Sequence, residues 1–214
     1  MAKFPEPPDI SHFEGIPPEI HTIPTGETVT RIYSAGGEHP TSWNAFRFFG
    51  PTASRFDHHL NNAKGQSCDQ DRGIMYLTTG DQAIPTALAE VFQETRVIDR
   101  NSNNPILTAF KTGRPIKLLD LSHTFATTIG ASSVIHSGPR PRARRWAQQL
   151  YLAYPELDGI FYCSSMYGNE PAIALFERGM QAIPLKPLFH RELRDPVLAN
   201  ILTETADKIR YVLV

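Results

Sequence analysis

The sequence predicts an α+β domain, in which strands and amphipathic helices share one core. Two patterns lead to this prediction. Residues 71–95 have the pattern of a strand that turns directly into a helix, and residues 139–154 have that of a longer amphipathic helix. Short β-type runs precede and follow these helices. With 214 residues, of which 41% are hydrophobic, the chain is long enough for one good core.

Composition argues against several classes of protein. A formal charge of −1 and a pI of about 6.7 provide no global positive charge for nucleic-acid binding. Cys68 and Cys163 are far apart, so neither a disulfide framework nor a zinc site is expected. The N-terminus lacks the form of a signal peptide, and no apolar run approaches membrane-spanning length. We therefore expect a cytoplasmic protein that binds neither nucleic acid directly nor membranes.

The beginning of the chain is rich in proline, which argues against a long helix there. We predict an N-terminal arm over residues 1–28, either extended along the domain or partly disordered. Residues 29–214 are then expected to form a single domain. This domain begins with a short strand over residues 29–34, in which Val29 and Arg31 share one face.

The strand-to-helix unit at residues 71–95 organises the rest of the chain. Its strand is followed by Asp81, the predicted N-cap of the helix, and Pro85 fits the first helical turn. The expected core stripe of this helix consists of Leu88, Val91, Phe92 and Thr95. Glu90 lies on the other side, which leaves two interpretations. It is either a solvated surface carboxylate or a carboxylate beside Tyr76 that faces a cleft.

Later segments complete the element pattern. Residues 106–111 and 116–121 are predicted strands, joined by the turn 112–115 into a hairpin. Ser122 is the expected cap of a short helix over residues 123–129. The remaining predicted elements are the helix 139–154 with its stripe Ala143, Trp146, Leu150 and Tyr154, the strands 158–165 and 172–176, a helix over 196–208 and a last strand over 209–214.

Four arginines crowd the first turns of the helix 139–154, namely Arg140, Arg142, Arg144 and Arg145. Cations at the start of a helix oppose its dipole, so another interaction must favour them. They form either an anion-binding or acidic-partner face, or an ordinary solvated basic face.

Polar side chains recur where the predicted strands end. Arg31, Tyr76 and Ser164 lie at such positions, while Glu90 lies on the exiting helix and Arg55 in a loop. Arginine forks suit phosphate, a tyrosine face can stack on a ring, and a carboxylate can stabilise a sugar oxocarbenium ion. A dinucleotide such as NAD meets this set of demands. The sequence lacks the Gly-rich turn that marks a Rossmann site, so binding of that type is not expected.

Seven short segments resemble, in the same order, the motifs of the RES domain family. They are Arg31-Ile32-Tyr33, Phe49-Gly50-Pro51, Ser54-Arg55-Phe56-Asp57, Gly73-Ile74-Met75-Tyr76-Leu77, Ala87-Leu88-Ala89-Glu90-Val91-Phe92, Leu118-Leu119-Asp120-Leu121 and Asp158-Gly159-Ile160-Phe161-Tyr162-Cys163-Ser164. The family is named for its arginine, glutamate and serine. These residues match Arg31, Glu90 and Ser164.

The resemblance implies a fold like that of ADP-ribosyltransferases, with two β-sheets and flanking helices around an NAD cleft. It also implies an enzyme that cleaves NAD at the nicotinamide–ribose bond, with NAD as substrate and no cofactor. Family members act as toxins of toxin–antitoxin pairs, and their antitoxins carry a Xre-like DNA-binding part and block the cleft. The acceptor stays open among inorganic phosphate, water and a protein, and so does homo-oligomerisation.

The resemblance further assigns roles to individual residues. Arg31 would bind the pyrophosphate or an acceptor phosphate, and Glu90 would hold the ribose hydroxyls and stabilise the oxocarbenium ion. Ser164 would bond the nicotinamide amide or a phosphate, although either Ser164 or its neighbour Ser165 could face the cleft. The expected ligand-binding residues are Tyr33, Arg55, Phe56, Tyr76 and Asn169.

Two other classes of function remain open at the level of sequence. The first is a non-catalytic binding module that uses the basic 140–145 face on an acidic partner. The second is a metal-dependent hydrolase built on His58 and His59. The sequence favours that second alternative only weakly, because neighbouring side chains do not converge on a helix or a strand.

Overall fold

The computed structural model describes residues 4–214. Within that range the chain forms eleven strands and four α-helices. The strands are β1 (Ile20–Ile23), β2 (Thr28–Ser34), β3 (Arg47–Gly50), β4 (Cys68–Thr79), β5 (Val97–Ile98), β6 (Pro105–Lys111), β7 (Ile116–Asp120), β8 (Gly159–Cys163), β9 (Pro171–Phe176), β10 (Phe189–Glu192) and β11 (Val212–Leu213). The helices are α1 (Ala83–Val91), α2 (Phe125–Thr128), α3 (Arg140–Ala153) and α4 (Ala199–Ile209).

Nine strands form one mixed sheet. Eight of them follow the order β1-β7-β8-β9-β4-β2-β6-β10, and β3 pairs with β4 beside that path. All pairings in this sheet are antiparallel except the one between β7 and β8. A separate parallel pair joins β11 to β5. The predicted α+β fold, with two sheets and flanking helices, is confirmed.

The predicted hairpin between residues 106–111 and 116–121 is wrong, although both strands exist. β6 pairs with β2 and β10, whereas β7 pairs with β1 and β8. The connecting residues bond to other segments instead of closing a tight turn. The amide of Thr112 donates to the Glu27 carbonyl, and the amide of Gly113 donates to the Ala182 carbonyl. The two strands therefore diverge to distant places in the same sheet.

The helix α3 packs its predicted stripe into the core. The buried residues Ala143, Trp146, Leu150 and Tyr154 pack in one cluster with side chains of the neighbouring strands. The N-terminal arm contributes to the same cluster through Phe4 and Phe13, while its strand β1 adds to the edge of the sheet beside β7. None of the helices within residues 4–214 is long and apolar enough to cross a lipid bilayer.

The helix α1 differs from its sequence-based prediction at both ends. Gln82 holds the N-cap position, and Asp81 is exposed without capping the helix. At the other end, Val91 is 49% exposed, so it does not belong to the core. The helix instead buries its small face and Leu88 against β2, β4 and α4. This close approach is open only to small side chains, which explains why Ala87 faces inward.

Candidate active-site cleft

A cleft of about 990 Å³ opens beside β2, β3 and β4, at the C-terminal end of α1 and the start of α3. This volume suits a ligand of nucleotide size. The structure brings five predicted site residues together on its walls, namely Arg31, Tyr33, Arg55, Tyr76 and Glu90. Three others, Phe56, Ser164 and Asn169, do not line it.

Arg31 projects from β2 and is held by the loop that follows the strand. Its Nη1 donates to the carbonyl oxygens of Trp43 and Ala45, each at 2.9 Å, and its guanidinium lies 5.6 Å from the centre of the Tyr33 ring. Burial lowers the pKa of Arg31 to about 10, which still leaves it charged at neutral pH. The backbone carbonyls orient this charge without neutralising it.

Arg55 is the second oriented cation of the cleft. Its Nη1 donates to the carbonyl oxygens of Gly138 at 2.7 Å and Ile135 at 3.2 Å. Burial lowers the pKa of Arg55, and the nearby charge of Glu90 partly offsets this effect. Within residues 4–214, neither Arg31 nor Arg55 forms an ion pair with a carboxylate. Two desolvated guanidiniums without carboxylate partners give this part of the cleft a positive character that suits an anion.

Three tyrosine rings form part of the aromatic lining of the cleft. The hydroxyl of Tyr33 bonds to Nε2 of His190 at 2.7 Å. Burial raises the pKa values of Tyr33, Tyr76 and Tyr162, so all three rings stay neutral. Among residues 4–214, the buried Tyr76 hydroxyl finds no hydrogen-bond partner. The nearby Ser54 side chain lowers the pKa of Tyr76, against the larger effect of burial.

Phe56 supports this aromatic wall from behind and does not contact the cleft. Its ring is fully buried and lies 4.7 Å from that of Tyr162, measured between centroids. The prediction that Phe56 packs against a ligand is therefore not supported by its placement. The local backbone explains the outcome, because residues 52–55 line the cleft along a bent loop and the next side chain, Phe56, turns into the core.

Glu90 occupies the penultimate position of α1 and its carboxylate has two partners. Oε1 accepts a hydrogen bond of 2.5 Å from the Ser164 hydroxyl, and Oε2 accepts one of 3.3 Å from Nε2 of Gln93. Glu90 is half-buried, so it is not the solvated surface carboxylate of the simpler interpretation. Its orientation is set by groups from β8 and from the residues that follow α1.

Ser164 follows β8 and is fully buried. Its Oγ donates to Glu90 and accepts from the amides of Met166 and Tyr167, both at 3.2 Å. The hydroxyl is therefore saturated by the protein, and its bond holds the Glu90 carboxylate in place. The neighbouring Ser165 is exposed and does not line the cleft.

Asn169 closes the turn that returns the chain from β8 to β9. It has a φ of 62° and follows Gly168 with a φ of 56°, which places two consecutive residues in the left-handed region. Its amide donates to the Ser164 carbonyl at 3.1 Å, and its side chain is exposed outside the cleft. The placement of Asn169 thus explains a structural role in the turn and gives no contact with the cleft.

The sequence motifs did not single out several polar residues of the cleft, among them Arg47, Thr52 and Gln93. Asp57, which is fully buried, orients the first two. Its Oδ2 accepts from Arg47 at 2.9 Å and from the Thr52 amide at 2.7 Å. Burial opposes its ionisation, but the bond from His59 and the charge of Arg47 hold the pKa of Asp57 well below its usual range.

The profile of the RES domain matches residues 28–194 of the chain, which include every cleft residue described above. This chain belongs to the RES domain family. A solved structure with a similar fold is a chain of the M. tuberculosis MbcT-MbcA toxin-antitoxin complex. It is 15% identical in sequence, with a TM-score of 0.55 over 91% of this chain and 96% of that chain. No curated protein matches the sequence significantly.

In this RES domain, the four arginines at the start of α3 have partners within the chain. Arg142 and Arg145 bind the carboxylate of Glu6 in the N-terminal arm, with nitrogen–oxygen distances of 2.9 and 2.6 Å. Arg144 donates to the Thr52 carbonyl at 2.8 Å, and Arg140 turns into the cleft. Interactions with the arm and the cleft, and not one common basic face, explain why cations are tolerated at this helix start.

The two adjacent histidines of the RES domain are both fully buried outside the cleft. His58 stacks on Tyr151 with centroids 4.4 Å apart, and His59 Nδ1 contacts Asp57 Oδ1 at 2.5 Å. Within residues 4–214, no group of three His, Cys, Asp or Glu side chains is arranged to hold a metal ion. Ring packing thus places His58, and the bond to Asp57 places His59, whereas both ring nitrogens of His58 and Nε2 of His59 find no hydrogen-bond partner within residues 4–214.

Proposed function

We propose that this RES domain cleaves NAD at the bond between nicotinamide and ribose. The observation that carries the proposal is the pairing of two carboxylate-free guanidiniums, Arg31 and Arg55, with a positioned carboxylate, Glu90, in one cleft. NAD offers a matching set of groups: an anionic pyrophosphate, an aromatic nicotinamide and a ribose that becomes cationic when the glycosidic bond breaks.

The binding roles follow from the chemistry of each wall. Arg31 and Arg55 would take the pyrophosphate oxygens, since guanidinium donors match phosphate in geometry and charge. Tyr33 and Tyr76 would pack against the nicotinamide ring and its ribose, because neutral tyrosine faces favour stacking. Both rings line the same cleft as the arginines, which supports a single ligand that spans both regions.

Glu90 would act when the carbon–nitrogen bond at C1′ of the ribose breaks. The bonding electron pair leaves with nicotinamide, and positive charge develops on the ribose ring as an oxocarbenium ion. A fixed carboxylate stabilises this charge, and Ser164 keeps the carboxylate in place. An acceptor oxygen then bonds to C1′. With water the product is ADP-ribose plus a proton, and with inorganic phosphate it is ADP-ribose that carries the phosphate on this same carbon.

We further propose that the protein is the toxin of a toxin–antitoxin pair, with an antitoxin of the Xre-like kind that covers the cleft. Membership of the RES family supports this role, as does the similarity in fold to a chain from a toxin-antitoxin complex. Depletion of NAD would explain toxicity in such a pair. Direct nucleic-acid binding by this chain is not part of the proposal.

The deciding experiment is product analysis with the purified protein. NAD is incubated at micromolar enzyme without added metal, with and without inorganic phosphate, and products are resolved by chromatography and mass spectrometry. We expect nicotinamide in both arms or in the phosphate arm, and the second product identifies the acceptor. A protein acceptor would appear as a mass increase on a target protein. Intact NAD in both arms, with no modified protein, would refute the proposed activity.

The alternative of a non-catalytic module that uses the 140–145 face is less well supported. Arg142 and Arg145 form ion pairs with Glu6, and Arg140 lines the cleft instead of the helix surface they share. The same incubation separates the two functions, because only an enzyme releases nicotinamide.

A further inference from the structure

Arg140 is the third cation of the cleft whose position suits a ligand, and an ion pair holds it at the rim. The residue opens α3, and its guanidinium reaches across to the segment after α1. Nη1 lies 2.7 Å from Oε1 of Glu94, and Nη2 lies 2.6 Å from Oε1 of Gln93. Both partners also line the cleft.

Arg140 and Arg55 line the same cleft, and their like charges repel each other. The charge of Arg140 lowers the pKa of Arg55, after the larger effect of burial and against the opposing effect of Glu90. The positive end of the α3 dipole adds to the same potential. Glu90 cannot fully offset these charges, because one carboxylate carries a single negative charge against two guanidiniums. An anion between Arg55 and Arg140 would relieve this repulsion.

The present partner of Arg140 is easy to displace. The Glu94 side chain is 70% exposed, whereas that of Arg140 is 28% exposed. An ion pair with so exposed a carboxylate contributes little, because water and salt screen it and the long side chain loses rotamer freedom. A ligand anion bound deeper in the cleft would be less screened. It would also contact two guanidiniums at once.

We propose that Arg140 binds an anionic group of the cleft ligand together with Arg55, and that Glu94 occupies Arg140 as a built-in competitor until that ligand arrives. The exchange replaces one charge-assisted contact by another, so Arg140 stays paired in both states. The proposal deepens the proposed function, which identifies the anion as the pyrophosphate of NAD. Anion binding by Arg140 does not itself require that NAD be cleaved.

If Glu94 and the ligand compete for Arg140, substitutions of the two residues should change ligand affinity in opposite directions. Removal of the Arg140 guanidinium deletes a contact to the ligand, so Arg140→Ala should weaken binding. Glu94→Gln frees Arg140 and should strengthen it. If the pair only held α1 and α3 together, both substitutions would loosen the same contact and weaken binding in the same direction.

The test measures the dissociation constant of ADP-ribose by calorimetry in the full chain. This ligand carries the pyrophosphate but has no nicotinamide bond to cleave. We expect Arg140→Ala to raise the dissociation constant about tenfold and Glu94→Gln to lower it about threefold. Arg145→Ala is the matched control, because that arginine lies on the same helix but pairs with Glu6. It should leave the constant unchanged, and melting curves should show that each variant is folded.

The double variant distinguishes competition from a general effect of charge. In the Arg140→Ala background, Glu94→Gln should have almost no effect, because there is no guanidinium left to release. Equal tightening in both backgrounds would overturn the competitor role, and unchanged binding in Arg140→Ala would overturn the role of Arg140. If ADP-ribose binds with the expected signs while NAD stays intact, the proposed function fails and this inference stands. If NAD is cleaved but the substitutions do not shift ADP-ribose binding in the expected directions, this inference fails and the proposed function stands.

Discussion

The Ser164 hydroxyl donates a 2.5 Å hydrogen bond to Oε1 of Glu90, although 74 positions separate the two residues in the sequence. This bond joins the end of β8 to the end of α1. The serine is buried and its other contacts are backbone amides, so the bond fixes the glutamate and leaves the cleft side of the carboxylate open to a ligand. Two of the three residues that name the RES family thus act as one unit.

Substitution of Glu90 by glutamine tests the catalytic role of its charge. Glutamine keeps an acceptor oxygen for Ser164, so the fold and ADP-ribose binding should change little. It loses the negative charge where positive charge develops in the transition state. We expect turnover of NAD to fall roughly 10²-fold or more, with binding kept within a few-fold. Nicotinamide release and a melting curve measure the two properties.

The control for this experiment must lie outside the cleft. Glu94, one turn further on, is unsuitable because it pairs with Arg140 on the cleft wall. Glu156 is exposed beyond the end of α3 and suits the purpose. Equal turnover in Glu90→Gln and Glu156→Gln would show that the charge of Glu90 has no catalytic role. Loss of folding in Glu90→Gln alone would make Glu90 a structural partner.

Ser164→Ala should lower both activity and stability. The substitution leaves the amides of Met166 and Tyr167 without their acceptor in a buried place, which costs about 1–3 kcal/mol. It also releases Glu90, so turnover should drop about tenfold or more while ADP-ribose binding is largely retained. Ser165→Ala, at the exposed neighbouring position, should match the wild type in melting temperature and turnover. Wild-type turnover in folded Ser164→Ala would exclude the positioning role.

Arg31→Lys tests whether a cation alone is enough at this position. The Arg31 guanidinium bonds the carbonyls of Trp43 and Ala45 and leaves further donors for a ligand. A lysine ammonium cannot hold this loop and bind a phosphate as a fork at once. We expect ADP-ribose binding weaker by about 1.5–3 kcal/mol, which is roughly 10- to 150-fold. Arg210 is exposed, so Arg210→Lys is the control. Wild-type ADP-ribose binding in both variants would show that the Arg31 guanidinium does not bind the ligand.

Because His58 is buried, we expect the protein to lose stability in mild acid. Burial lowers its pKa from the ordinary value of 6.5 to about 4, and the Glu177 carboxylate, 3.7 Å away, only partly opposes this effect. Between these two values the unfolded chain binds more protons than the folded chain. Stability is therefore fully present above pH 6.5 and falls as the pH drops towards 4. Urea unfolding at several pH values measures this dependence.

His58→Phe should remove that part of the pH dependence. Phenylalanine keeps the ring contacts with Tyr151 and Phe176 and cannot be protonated. In this variant, stability should begin to fall only at lower pH, where other groups become protonated. One of these groups is Glu177, whose pKa is lowered from 4.5 to about 2 because hydrogen bonds to its carboxylate outweigh the effect of burial. An unchanged slope between pH 6.5 and 4 in a folded His58→Phe variant would contradict the assignment.

Local sequence patterns determined much of the fold. Alternation and helical spacing located β2, β4, β8 and α3, because each depends on side chains a few positions apart. The stripe of α3 around Trp146 was readable for the same reason. Five cleft residues, including Arg31 and Glu90, were also recognisable, since the ordered family motifs that contain them are local stretches of sequence.

Only the tertiary structure decided which side chains meet. The strands 106–111 and 116–121 are separated by a short turn, yet sheet pairing sends them to different neighbours because distant backbone groups compete for the same hydrogen bonds. The contact between Glu90 and Ser164 and the pair of Arg140 with Glu94 likewise join elements remote in sequence. No local pattern specifies such contacts, because they depend on the relative placement of packed elements, to which residues throughout the core contribute.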